Sequence, residues 1–203
     1  MAAGIDLSFP FTGRWLVQNS PASRIPSHGT TLFATSYAID FVPVTDSGRT
    51  APFTMRSLLR PEPAARFPGF GRPVLSPVEG TVVAVHDGYA DHPAYRGLPS
   101  IRYAATQRSR ASDGWPTLAG NHVLIEAADA VIALCHLEHD SIAVSLGQHV
   151  VAGDVLARCG NSGNSTEPHL HVQALDDRNI GRARAVPLTF RGSLPRNGEI
   201  VTA

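Results

Sequence analysis

The sequence predicts an all-β, mainly antiparallel fold with long loops, and three observations carry that expectation. Short apolar runs such as Asn121–Glu126 and Val131–Leu137 have the length and composition of strands. Glycine (18) and proline (16) are spread through the 203 residues, so turns are frequent and long helices have little room. No stretch shows the periodicity of an amphipathic helix of ordinary length. The length suits a single domain spanning 1–203, with an N-terminal segment 1–27, a core 28–175 and a C-terminal segment 176–203.

Taken in order, residues 5–17 mix Ile5, Leu7, Phe9, Phe11 and Trp15 with Pro10 and Gly13, which suggests an extended, half-buried start. Gln18 to Thr31 is polar and contains His28. Tyr37 to Val42 reads as a short strand with Asp40 on the face opposite Ile39 and Phe41. A carboxylate in an apolar strand needs a partner, because an unpaired buried charge is costly, and metal ligation would supply one. Residues 45–72 read as loop, with a helical turn near Met55 to Leu59. Pro77 to His86 gives a turn and a β-branched strand. Residues 87–119 form a long insertion without clear periodicity, a candidate wall of a substrate groove. Beyond the strands at 121–126 and 131–137, Gln148 to Arg158 reads as strand and turn, and Arg182 to Phe190 as the last strand.

Composition narrows the function classes. Formal net charge is +0 and the sequence pI about 7.1, so neither nucleic acid nor a membrane surface is expected as partner. All 17 basic residues are arginines, which removes chemistry that needs an amine nucleophile or a lysine-linked cofactor. Cys135 and Cys159 form no CxxC pair and read as small core residues, with a single bridge between them left open. The N-terminus lacks the basic and apolar regions of a signal peptide, and no apolar stretch reaches the ~18 residues that suggest a membrane span. The default expectation is a soluble, cytoplasmic monomer.

The chemistry concentrates in Gly160-Asn-Ser-Gly-Asn-Ser-Thr-Glu-Pro-His-Leu-His-Val-Gln173. If a strand begins near His169, then His169 and His171 point to one face while Leu170 and Val172 point to the core. In Val131–Leu137, alternation places His136 with Ile132 and Leu134 at the end of a buried strand, and Cys135 on the other face. Strand-borne His136, His169, His171 and Asp40, with His28 in a loop, form a set that only folding can assemble. Zinc suits it chemically, since catalytic zinc takes about three His, Asp or Glu ligands and keeps one position open.

These residues carry a resemblance to the lysostaphin-type, or LytM-like, zinc endopeptidases. His28 followed by Tyr-Ala-Ile-Asp40, then Ala-Leu-Cys-His136-Leu, then Gly-Asn-Ser-Gly-Asn-Ser-Thr-Glu-Pro-His169-Leu-His171 resemble that family's site strings. Leu75-Ser-Pro-Val-Glu-Gly-Thr-Val-Val and Leu146-Gly-Gln-His-Val-Val-Ala-Gly-Asp-Val-Leu resemble its framing hairpins. The resemblance implies a duplicated hybrid motif fold and one zinc ion in a sheet groove. It implies cleavage of peptidoglycan stem or cross-bridge peptides, in a family that usually acts outside the cytoplasm. It also implies His28, Asp40 and His171 as metal ligands, with His136 and His169 dividing the general-base and oxyanion-stabilising roles. One departure stands out. The family usually separates its first His and Asp by three residues, whereas positions 28 and 40 are far wider apart.

Other classes remain. The hairpins also resemble biotinyl or lipoyl carriers, which the missing lysine excludes, and a phosphocarrier of the enzyme IIA type, which needs only a reactive histidine such as His136 or His171. A relative that binds peptides without cutting them would keep all five site residues. The zinc-deaminase reading of His136-Leu-Glu138 lacks its P-C-x-x-C partner, and no HExxH helix occurs.

Overall fold

A computed structural model describes residues 4–52, 55–105, 110 and 112–203. The rest of the expected loops, at 53–54, 106–109 and 111, and the start of the N-terminal segment at 1–3, lie outside the described residues. The strands are β1 (Ile5–Leu7), β2 (Arg14–Gln18), β3 (Ile39–Pro43), β4 (Pro73–Leu75), β5 (Gly80–His86), β6 (Asn121–Glu126) and β7 (Val131–Leu137). They continue as β8 (His149–Val150), β9 (Val155–Arg158), β10 (Leu170–Leu175), β11 (Ala185–Val186), β12 (Leu188–Phe190) and β13 (Ile200–Thr202).

One large sheet runs β13-β2-β3-β10-β7-β6-β5-β8, with β11 also paired to β10. All its pairings are antiparallel, as expected, and the short β1–β12 pair alone is parallel among the described strands. The central strands β7 and β10 are buried along their whole length because both faces of the sheet are covered. One face carries Val17, Ile39, Phe41, Leu134 and Val172 into the main core. There Phe41 meets Phe9, Phe11 and Phe190 edge-on, with ring centroids 4.9–6.1 Å apart. The opposite face carries Leu124, Ala133 and Cys135 under Ala34 and Ala119.

Strand register places the site. Asp40 pairs with His171, His171 with Cys135, Cys135 with His122 and His122 with His86. Directly opposed residues of antiparallel strands point to the same face, so these side chains form one row across the sheet. Ile39, Phe41, Leu170 and Val172 alternate with that row and face the main core, as the sequence predicts.

Three expectations are corrected. His136 does not follow the alternation of Ile132 and Leu134. Pairing steps from Asn121–Leu137 directly to His122–Cys135, so His136 is the extra residue of a β-bulge, with φ 63°. The bulge turns its ring onto the Cys135 face, next to His169 and His171. The insertion at 87–119 is not wholly loop, since it contains the helices Leu98–Ala105 and Trp115–Ala119. The last strand is β13, and Pro187 separates the expected 182–190 strand into β11 and β12. Both cysteines are free and buried.

Candidate metal centre

His28, Asp40 and His171 converge although 131 positions separate the last two. Nε2 of His28 lies 3.1 Å from Asp40 Oδ2, and Nδ1 of His171 lies 2.9 Å from Asp40 Oδ1. One ligand atom from each residue lies within 4.8 Å of the other two. The wide sequence separation of His28 and Asp40 is closed by the 3₁₀ turn Leu32–Tyr37, in which Phe33 and Ala34 take left-handed φ of 54° and 60°. That backbone folds the intervening segment back on itself.

The surrounding hydrogen bonds fix which nitrogen of each ring carries the proton. Gln173 donates its amide to Phe33 O at 3.1 Å and so presents Oε1 to His171 Nε2 at 2.9 Å, which makes that nitrogen the donor. Ser27 Oγ donates to Thr35 O at 3.1 Å and accepts from His28 Nδ1 at 3.0 Å. His28 Nε2 and His171 Nδ1 are therefore lone pairs aimed at a carboxylate, whose Oδ2 also accepts from Asn19 Nδ2 at 2.7 Å. Lone pairs facing one another repel unless a cation or a shared proton lies between them. Distal ring nitrogens held by acceptors are what metal-ligating histidines use to fix their tautomer.

Without a metal, a proton held between Asp40 and His171 takes the cation's place, and the titration directions follow from it. Burial alone would raise the Asp40 carboxyl, but His28, His169 and the hydrogen bond from His171 outweigh it and hold it well below the usual carboxylate range. Burial would lower His171, yet its bond to Asp40 raises it above an ordinary imidazole. The donor set fits zinc. It offers two imidazole nitrogens and a carboxylate, the ligand types that catalytic zinc takes, with each nitrogen facing a different oxygen of Asp40.

His136 and His169 stand beside this set, their ring centroids 4.6 Å apart. His136 donates Nδ1–H to Ser162 O at 2.9 Å, and His169 donates Nδ1–H to Glu167 O at 2.8 Å. No hydrogen bond engages Nε2 of either ring among the described residues. His169 Nε2 is 3.9 Å from Asp40 Oδ1. Burial, then the neighbouring His169 and His171, hold His136 well below the usual imidazole range, so it is a neutral ring. Cys135 lies on the same floor, but burial first and Asp40 second push its thiol upward, so no thiolate forms there.

All five sequence-predicted residues are thus brought together. Three supporting residues were not read from the sequence: Asn19, Ser27 and Gln173. Gln173 had a signal, since it follows His171 by two positions and must share its strand face.

The family model for peptidase family M23 matches residues 66–180, more than half of the chain. The chain belongs to peptidase family M23. The matched residues include His136, His169 and His171, while His28 and Asp40 precede them. Among solved structures, the catalytic domain of the antimicrobial peptidase lysostaphin from Staphylococcus simulans is similar at 18% identity, over 73% of this chain and 74% of that one, with a TM-score of 0.41. The prophage-encoded M23 protein EnpA from Enterococcus faecalis is similar at 18% identity, over 74% and 73% of the two chains, with a TM-score of 0.43. A putative peptidase M23 from Pseudomonas aeruginosa is similar at 18% identity over 92% of this chain and 50% of that one, with a TM-score of 0.44. No helix among the described residues is long and apolar enough to cross a membrane.

Proposed function

We propose that this M23 peptidase is a zinc-dependent endopeptidase that hydrolyses peptide bonds of peptidoglycan stem or cross-bridge peptides. Residues 1–203 act as one unit in this reading, and 28–175 carry the chemistry. The observation that supports it most is the convergence of three candidate ligand atoms, from His28, Asp40 and His171, beside two histidines whose Nε2 atoms make no hydrogen bond among the described residues. The chemistry that zinc supplies in such a donor set is Lewis acidity: a more acidic water and a polarised carbonyl.

The chain's own residues do the rest. Gln173 and Ser27 hold the two ligand rings in the tautomer that leaves a lone pair inward. His136 and His169, each anchored through Nδ1 to a backbone carbonyl, present Nε2 for proton work. Between them they take the proton from the attacking water, hand it to the departing amine nitrogen, and hydrogen-bond the oxyanion that forms in between. The phosphocarrier reading has less support, because a phosphorylated His171 would bring its negative charge against the Asp40 carboxylate.

Zinc analysis of the purified protein, paired with peptidoglycan digestion by the parent and by His169→Ala, tests this reading. We expect stoichiometric zinc in both, and digestion slowed at least ~100-fold in the variant. Zinc without digestion by either form would point to a peptide-binding relative. Absence of zinc, with phosphohistidine formed from a phosphodonor, would point to a carrier.

A further inference from the structure

The two insertions meet at an exposed surface. A Cβ placed on Gly97 would sit 2.5 Å from the carbonyl oxygen of Leu58, so the helix Leu98–Ala105 starts directly against the 3₁₀ turn Met55–Leu58. Next to this contact, Glu62 and Ala94 exchange backbone hydrogen bonds of 3.0 and 2.7 Å. Arg96 joins the same two segments, through Glu62 Oε2 at 2.6 Å and Pro52 O at 2.8 Å. The turn and helix fastened together in this way hold large apolar side chains out in solvent. Met55 is 73% exposed, Leu59 66%, Leu98 61% and Ile101 67%. Isolated exposed apolar residues are ordinary, but a group of them on two abutting elements marks an interaction surface.

The charge of that surface selects its partner. Within residues 55–62 and 96–105 the described side chains include Arg60, Arg96 and Arg102, and Glu62 is the one acidic residue in those two stretches. Arg96 is paired with Glu62. Arg60 and Arg102 are exposed and form no ion pair among the described residues. A second copy docking by two-fold symmetry would set this cationic surface against itself. A purely polar anionic polymer would match the arginines but leave the apolar side chains wet. An anionic bilayer satisfies both, with headgroup charge for the guanidiniums and an acyl boundary for Met, Leu and Ile.

We infer that the face formed by the Met55–Leu58 turn and the Leu98–Ala105 helix docks on the surface of an anionic lipid bilayer. The same wall holds the loop that leads into His169, through Tyr95 N–H to Thr166 O at 2.7 Å and Tyr103 O–H to Gly163 O at 2.9 Å. The inference does not depend on the zinc-peptidase reading.

Co-sedimentation of the full chain with vesicles of phosphatidylcholine alone, and of phosphatidylcholine with phosphatidylglycerol, tests it. We expect binding to the anionic vesicles that weakens with added salt. Arg60→Gln and Arg102→Gln should each weaken it about 5-fold, and Leu98→Ser with Ile101→Ser roughly tenfold or more. Because these side chains are exposed, thermal stability should be unchanged, so a loss of binding is not a loss of fold. Equal binding to both vesicle types, no binding to either, or binding unaffected by the variants would overturn the inference. So would variants that change only concentration-dependent self-association, which would assign the face to a second copy of the chain.

Discussion

At the scale of single residues, the centre depends on which ring nitrogen is protonated, and that is set by side chains that touch no substrate. Gln173→Leu removes the acceptor from His171 Nε2 while leaving all three candidate ligands in place. We expect zinc affinity to fall about 10- to 100-fold, measured by competition with a chromogenic chelator, and Gln173→Glu to restore most of it. A separate histidine gives a pH signature. His122 is buried against Trp115, its ring 4.4 Å away, and titrates at about 4. Burial is the main cause, with His86 adding to it and the hydrogen bond to Gly120 O opposing. Its folded pKa lies below its unfolded value, so the unfolded chain binds the extra proton. Stability from this group is therefore full above pH ~6.5 and lost as pH falls toward ~4, by about 2 to 3 kcal/mol. Urea titrations across that window should show a shallower pH slope for His122→Phe than for the parent, and an equal slope would count against the assignment. The alternation of residues 169–172 places both histidines on one face, and the same period carried one step further reaches Gln173. The task of Gln173 was not legible, because it depends on the ring orientation that Asp40 imposes.

At the scale of elements, strand existence was readable where apolar runs are continuous, and 121–126 and 131–137 agree with β6 and β7. The bulge within β7 was not readable, since one left-handed residue leaves no trace in an apolar pattern. Its geometry rests on the loop opposite. Ser162 Oγ donates to Leu137 O at 2.8 Å and accepts from Asn121 N at 3.0 Å, while Ser162 O holds His136. Gly163 lets that loop approach β6, since a Cβ there would lie 2.4 Å from Gly120 N at a φ of +71°. Gly163→Ala should cost at least about 2 kcal/mol in chemical denaturation and release the His136 ring. Phe41→Ala, one residue from Asp40 and fully buried among aromatic rings, should cost ~3–5 kcal/mol by the same measurement. The helix Leu98–Ala105 escaped sequence reading for a physical reason. It is short, has Pro99 in its first turn, and exposes Leu98 and Ile101, so no core-facing stripe marks it.

At the scale of the whole molecule, a neutral net charge concealed an uneven distribution. The arginine-rich insertions stand out only once Met55–Leu58 and Leu98–Ala105 are seen to abut. The site shows the same dependence on long-range assembly. The M23 match begins at residue 66, and the two ligand candidates before it reach His171 because β3 pairs with β10 and the Phe33–Ala34 turn folds His28 onto Asp40. Sequence could nominate His28 but could not show that a spacing wider than the family's would close, because left-handed Phe and Ala are not conformations that composition announces. His28 is therefore the residue on which the account is most exposed. The direct measurement is zinc content after chelator stripping and reloading, for the parent and for His28→Ala with its fold checked by circular dichroism. One zinc per chain is expected in the parent, with a loss of at least ~10-fold in affinity in the variant. Equal zinc binding by a folded His28→Ala protein would contradict it.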